Sequence, residues 1–414
     1  MFLINKSRFT EKDIQVVETH ANSLNMFEFG IFIFNFISGI GILKVGYSYQ
    51  CGIIPNIIIS AIFMLISLYS LFLYIKCACY AHQDTIDDIW KATISKKTAL
   101  IPLIISVIVC QTAIARYFRI IVIVTNECID FLFPNTSSFS KDHYFILLLV
   151  LIIYCLPISG TRSLKFFIIL SYLDFFTLIL LIIYVIYSFS NSIIDYGFDP
   201  DHKLSVGQLN SKIIENIAIF MTSYITMPLN YPSLGNLSYP TQRRLFRAFF
   251  IGFFLSFIFY NIFGIFTYMT FFNNPPQSAS LTKSDSINFG GQICLIFAIL
   301  YTMPCYLNQF RYIFVNIYSR NEFLHFEIWI MTGIIIFILG VILSGFSEPF
   351  SVIITFLHEF SSELIMFFIV PLMYLAAFRK KNMLHFIGSL FLFLICLVSI
   401  IFAIIINFFH KVVE

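Results

Sequence analysis

Charge is what this chain has least of. Asp, Glu, Lys and Arg make up 11% of the 414 residues against 59% hydrophobic, and the mean hydropathy of +0.89 lies far outside the range of water-soluble globular proteins. Also missing is any long polar stretch: the segments between apolar runs reach only about 22 residues, which excludes a separate soluble domain. A polar run of about 26 residues precedes the first apolar segment, so no cleavable signal peptide is expected and that segment must itself direct insertion. The nine cysteines show no metal-like spacing and lie within or at the edges of apolar runs, where they read as free buried thiols, with a Cys51–Cys128 disulfide as the alternative. His358, Glu359 and Glu363 lack the second histidine of an HExxH motif, so a metal centre is not expected. A net charge of +3 gives a nucleic acid nothing to hold.

What the chain has in excess is apolar sequence. Stretches that meet the ~20-residue criterion for crossing a bilayer lie near 27–50, 53–79, 99–133, 143–158, 164–190, 213–238, 246–272, 289–318, 326–346, 350–378 and 383–409. The expected fold is an all-α polytopic membrane protein of about eleven transmembrane helices. Orientation follows from Lys and Arg: one alternating set of segments, holding clusters such as Arg243, Arg244, Arg247 and Arg379, Lys380, Lys381, carries 15 basic residues against five in the other. The N-terminus is therefore expected in the cytoplasm and the C-terminus outside or in a lumen, which puts the Asn135 sequon outside. Within the cytoplasmic loop 82–98, Asp84, Asp87 and Asp88 beside Ile89 to Ile94 fit a short amphipathic helix at the interface, or a simple connector.

Two spans are interrupted. Ser38, Gly39, Ile40 and Gly41 fall in the middle of the first, and Pro228 and Pro232 in the sixth. Inside a bilayer every backbone group needs an internal partner, so such breaks make sense where unwound chain faces a protein-lined cavity. Paired breaks at corresponding places in two halves point to the binding site of a secondary transporter. On this reading the chain divides into a tail (1–26), a first inverted repeat of five spans (27–190), an outer loop (191–212), a second repeat (213–378), and an eleventh span with the outer C-terminus (379–414).

Particular residues then add a resemblance. Asn35 to Leu43 followed by Tyr47 and Gly52 resembles the first-helix motif of the amino acid/auxin permease family, especially its sodium-coupled neutral amino acid transporter branch. Met227, Pro228 and Pro232 with Arg243 and Arg244 behind them, the ending Tyr268 to Phe271, Thr302-Met303-Pro304 with Arg311, and Pro371 with Tyr374 are similar in colinear order. Lys44, Leu229 and Glu359 depart from the family pattern. The resemblance implies a LeuT-type 5+5 inverted repeat with broken helices 1 and 6, and transport of small neutral amino acids driven by sodium or protons.

The chemistry suits these residues. Free amides of the glycine step, with Ser38, Gly39, Ile40, Gly41 and Ile42 around them, can receive a substrate carboxylate at the positive end of a half-helix. Carbonyls near Ser223, Tyr224 and Thr226, freed by Pro228, can accept from its ammonium. By resemblance Tyr117 closes over the substrate, and Asn35 and Thr302 supply oxygens to a sodium ion, the only cofactor-like species expected. Lys44, Arg116, Arg119, Asp174, Glu359 and Glu363 are charges inside spans, each expensive there, and stand as gating or proton-coupling candidates or as a structural salt-bridge network. Lys44 is expected to pair with Glu359, with Arg116 or Arg119 the alternative partners. The expected protein is a monomeric transporter of the plasma membrane or a vacuole-like membrane; an amino-acid sensor with little flux and a membrane-embedded enzyme are the competing classes.

Overall fold

The computed structural model describes residues 24–49, 52–83, 85–133, 143–160, 164–196, 213–225, 237–271, 286–318, 326–345, 348–378 and 383–404. Among them the chain is helical throughout, apart from one isolated bridge between Leu24 and Leu237. The helices are α1 (Met26–Ser48), α2 (Ile53–Ala81), α3 (Ile86–Thr93), α4 (Leu100–Leu132) and α5 (His143–Val150, continuing through a π-helical turn Leu151–Cys155 to Leu156–Ser159). There follow α6 (Leu164–Tyr196), α7 (Ile213–Ser223), α8 (Gln242–Phe271), α9 (Ser286–Tyr318) and α10 (Phe326–Ser344). Last come α11 (Glu348–Glu363, continuing through a π-helical turn Leu364–Ile369 to Val370–Phe378) and α12 (Met383–Ile404).

Six of these helices are long and apolar enough to cross a membrane, and four more are shorter apolar helices. Their outward stripes are what lipid contact requires. Ile54, Ile58, Ile62 and Leu65 on α2 are exposed, as are Leu384, Ile387, Phe391 and Leu394 on α12, positions three or four apart that share a helix face.

α1 sits in the centre, packed on α8, α7, α6 and α9. Its start is fixed by a capping box: the Asn25 side chain accepts from the Phe27 and Glu28 amides at 2.9 Å, and Glu28 accepts from the Asn25 amide at 2.8 Å. The Ser238 amide donates to the Leu24 carbonyl at 2.8 Å, so the entry to α1 and the entry to α8 lie at the same end of the molecule. α3 is an amphipathic helix that buries Ile86, Ile89 and Trp90 and packs against α2, α4 and the last turns of α11, so this loop is more than the simple connector that was the other reading of it.

Two expectations need correction. The first span is not broken: α1 is helical without interruption from Met26 to Ser48, so the amides of Gly41, Ile42 and Leu43 lie inside a helix. The glycines are there because tyrosines from other helices come too close for a Cβ. The break of the sixth span fares differently. α7 ends at Ser223, while Thr226, Met227, Pro228, Leu229 and Pro232 lie outside the described residues. Cys128 is a free thiol that donates to the Gln292 Oε1 at 3.5 Å, so the disulfide alternative falls; Cys51 lies outside the described residues.

Candidate functional site

Positions two apart on a helix are turned by about 200°, and α1 uses this to present candidate residues on nearly opposite faces. On one face Gly41 meets α7 and α8. The Tyr260 hydroxyl of α8 bonds the carbonyl oxygen of Ile37 and lies 3.1 Å from that of Ser223, where α7 has run out of intrahelical donors. A Cβ at residue 41 would fall 1.9 Å from the Tyr260 oxygen. The Tyr224 ring stands edge-on to Tyr260 at 5.3 Å, and its hydroxyl lies 2.8 Å from the Ser60 Oγ of α2.

Further bonds extend this set. Asn261 Nδ2 donates to Ser60 Oγ at 3.4 Å, Tyr49 donates to Asn261 Oδ1 at 2.6 Å, and Asn216 Nδ2 donates to Asn56 Oδ1 at 3.1 Å. Ser38 Oγ is 3.5 Å from Ser256 Oγ. The end of α1 and the bodies of α2, α7 and α8 are thereby knitted into one polar-bonded unit. Ile42 is buried beside this set, and the side chains of Ile40 and Lys44 lie outside what the structure describes.

On the other face Asn35 and Gly39, one turn apart, meet α4, α6 and α9. Asn35 Nδ2 donates to the Ser171 carbonyl of α6 at 2.6 Å, and its Oδ1 is buried without a hydrogen-bond partner. One turn along α6, Asp174 is 1% exposed; Thr302 Oγ1 of α9 lies 3.2 Å from its Oδ2, and its Oδ1 is buried without a partner. A Cβ at residue 39 would lie 2.7 Å from the Tyr117 oxygen and 3.4 Å from Thr302 Oγ1, so the glycine is what lets α4 and α9 close on α1. Tyr117 in turn packs edge-on to Tyr306 at 5.5 Å. Buried acceptor oxygens left without donors are rare in folded proteins, and a pair of them, with the Thr302 hydroxyl beside one, suits a small hard cation or a proton.

A third place lies between α4 and α11. Arg116 Nη1 stands 3.7 Å from Glu359 Oε1, with both side chains mostly shielded. Arg116 is thus the partner of Glu359 found among the described residues, as the alternative expectation had it, and the Lys44 side chain lies outside them. The other charged candidates disperse. His358 Nδ1 lies 3.3 Å from Thr112 Oγ1 and 3.2 Å from the Val109 carbonyl, while buried Glu363 accepts from Ser399 Oγ of α12 at 2.6 Å. Arg119 follows one turn beyond Arg116 on α4, half-buried.

A family model described as transmembrane amino acid transporter protein matches residues 23–412. The chain belongs to that family. Two solved structures share its architecture. One is Mhp1, a nucleobase-cation-symport-1 family transporter in a closed conformation with bromovinylhydantoin bound, at TM-score 0.60 and 12% identity over 94% of this chain and 92% of that one. The other is MhsT in complex with L-phenylalanine, at TM-score 0.57 and 12% identity over 92% of this chain and 98% of that one. No curated protein matches the sequence. The likeness fixes the fold of this amino acid transporter family member as LeuT-type, and the family together with the long apolar helices makes it an integral membrane protein.

Several residues of the transporter's interior escaped the sequence reading. Asn56, Asn216 and Asn261 carried a signal, since polar amides within apolar spans tend to bond across helices. Tyr260 and Tyr306 carried none: among the 22 tyrosines and 52 phenylalanines of this chain, nothing local separates a hydroxyl aimed at a carbonyl from ordinary packing.

Proposed function

We propose that this protein is a secondary active transporter that moves small neutral amino acids across a membrane by alternating access, coupled to a bound cation or proton. The observation that carries the reading is the double face of α1. One face is bonded into the unit with α2, α7 and α8, and the other meets α4, α6 and α9 across the unsatisfied oxygens of Asn35 and Asp174. Movement of the first unit against the second remakes the contacts at Asn35, Gly39 and Thr302, so an ion bound there has differential affinity for the two arrangements and biases them. The Gly41 face supplies the substrate chemistry: two carbonyls, of Ile37 and Ser223, share a single tyrosine hydroxyl, whereas an ammonium brings three donors. An amino acid as cargo is further supported by the family description and by the L-phenylalanine bound to MhsT. The organisation into two inverted five-span repeats, 27–190 and 213–378, the cytoplasmic N-terminus and a monomeric state belong to the same proposal.

Purified protein reconstituted into liposomes should accumulate label from a mixture of the twenty proteinogenic L-amino acids when an ion gradient is imposed. A sensor would bind amino acids, seen as a shift in heat stability, without flux. Absence of accumulation under both sodium and pH gradients would sink the transporter reading.

A further inference from the structure

We propose that Tyr154 of α5 is a positioning residue for Thr302, its hydroxyl standing in for the amide that Pro304 denies to the Leu300 carbonyl; the inference rests on the transporter reading above, in which Thr302 faces the bound cation. In an α-helix the carbonyl of residue 300 accepts from the amide of residue 304. Proline has no amide hydrogen, and α9 carries Pro304 in its interior, buried, so the Leu300 oxygen loses its helical donor. Helices inside a bilayer tolerate such a proline where a neighbouring helix satisfies the freed group. Here the Tyr154 hydroxyl donates to the Leu300 carbonyl.

α5 is shaped to deliver that donor. Tyr154 lies in the π-helical turn Leu151–Cys155, and Pro157 removes a further amide just after it, so this stretch departs from regular α-helix. Ile152 and Ile153 of the same turn are exposed, whereas Tyr154 is half-buried and reaches across to α9.

Thr302 stands midway between the freed carbonyl and the proline. Its Oγ1 lies 2.9 Å from the Ala298 carbonyl and 3.2 Å from Asp174 Oδ2, and 3.4 Å from where a Cβ at residue 39 would fall. The turn that aims Thr302 at α1 and α6 therefore lacks one of its own hydrogen bonds, and α5 supplies the replacement. Take the hydroxyl away and the Leu300 oxygen is left bare among apolar neighbours, a cost that α9 relieves by shifting the turn and Thr302 with it.

Four full-length proteins provide the test: wild type, Tyr154→Phe, Pro304→Ala and the double variant. Each is read in detergent by the midpoint of heat-induced aggregation, and in liposomes by uptake of the labelled mixture of twenty L-amino acids. Alanine at 304 restores the amide, so loss of the Tyr154 hydroxyl should matter in the wild-type background and not in the Pro304→Ala background. In the first, Tyr154→Phe should lower the midpoint and raise the half-saturating concentration of the driving cation, sodium or protons, whichever gradient powers wild type, by about fivefold, with a smaller change in maximal rate. In the second, the same change should leave both readings where Pro304→Ala put them. Equal losses in the two backgrounds overturn the proposal, because they would come from packing. So does a lowered midpoint with an unmoved half-saturation, which would make the bond a matter of stability alone. Should Pro304→Ala fail to fold, Pro304→Ser carries the same amide, and Tyr154→Phe by itself still decides through the half-saturation. All of these outcomes leave the transporter reading standing, whereas wild type that moves no amino acid under either gradient overturns both.

Discussion

Gly41→Ala adds one methyl group at the most crowded point of α1. The new Cβ would sit 1.9 Å from the Tyr260 oxygen, 2.8 Å from the ring Cζ and 3.3 Å from the Ser223 Cβ. Overpacking of this kind costs about 1–3 kcal/mol, because the tyrosine must leave the Ile37 and Ser223 carbonyls to make room. Tyr260→Phe by itself removes one hydroxyl from two acceptors, a net loss of about 1 kcal/mol. In the double variant the worst contact is gone before the methyl arrives, and the ring carbon left 2.8 Å from the new Cβ must still yield by about 0.6 Å to reach ordinary van der Waals contact. The two changes should therefore couple favourably by about 1–2 kcal/mol, and losses should not add. The midpoint of heat-induced aggregation in detergent, read by size-exclusion chromatography, should place Gly41→Ala lowest and the double variant between it and wild type. A double variant less stable than wild type by the sum of the two single losses would show that Gly41 does not face the Tyr260 hydroxyl, and the account of why α1 carries a glycine there would fail.

Other outcomes follow from the charges. Arg116→Glu and Glu359→Arg should each lower uptake by leaving a like-charge pair 3.7 Å apart in shielded surroundings, and the double exchange should recover part of it; strictly additive losses would dissolve the pair. A cysteine placed at Asn135 should react with an impermeant maleimide in intact cells and one at Lys380 should not, and the opposite pattern would invert the proposed orientation. On α3, burial works against the Lys91 ammonium, but hydrogen bonds to Asp87 and Asp88, each at 2.8 Å, outweigh it and raise Lys91 above its ordinary 10.5. A raised pKa on a base means that its contribution is complete below 10.5 and is lost as pH climbs through the folded value. Trp90 fluorescence in a Trp329→Phe background should hence stay constant through neutral pH and change only above that point, and Lys91→Gln should remove the change.

Much of this protein was legible because a bilayer leaves few choices. Backbone groups must be satisfied within a helix, so apolar runs of sufficient length read directly as helices of a membrane protein, whereas the amphipathic pattern around Asp87, Ile89 and Trp90 fitted a short helix and a simple connector alike. The motif from Asn35 to Leu43 and the Thr302-Met303-Pro304 step carried the resemblance to the family for a related reason: each is a local string whose residue types are constrained by one helix. The error over the first span came from the same locality. Two glycines in a span fit an unwound step or a close approach equally well, and only the hydroxyls of Tyr117 and Tyr260, brought from α4 and α8, tell the two apart.

By itself, then, the sequence determined the membrane class, the apolar helices and which segments are basic, since hydropathy and positive charge act through the nearest few residues. Tertiary structure alone decided the pairings: Glu359 with Arg116, Tyr260 with Ile37 and Ser223, and Asp174 with Thr302, 128 positions away. A buried polar atom takes its partner from whichever helix packs against it, and helix packing is fixed by the whole assembly of apolar surfaces, which no single stretch of chain contains.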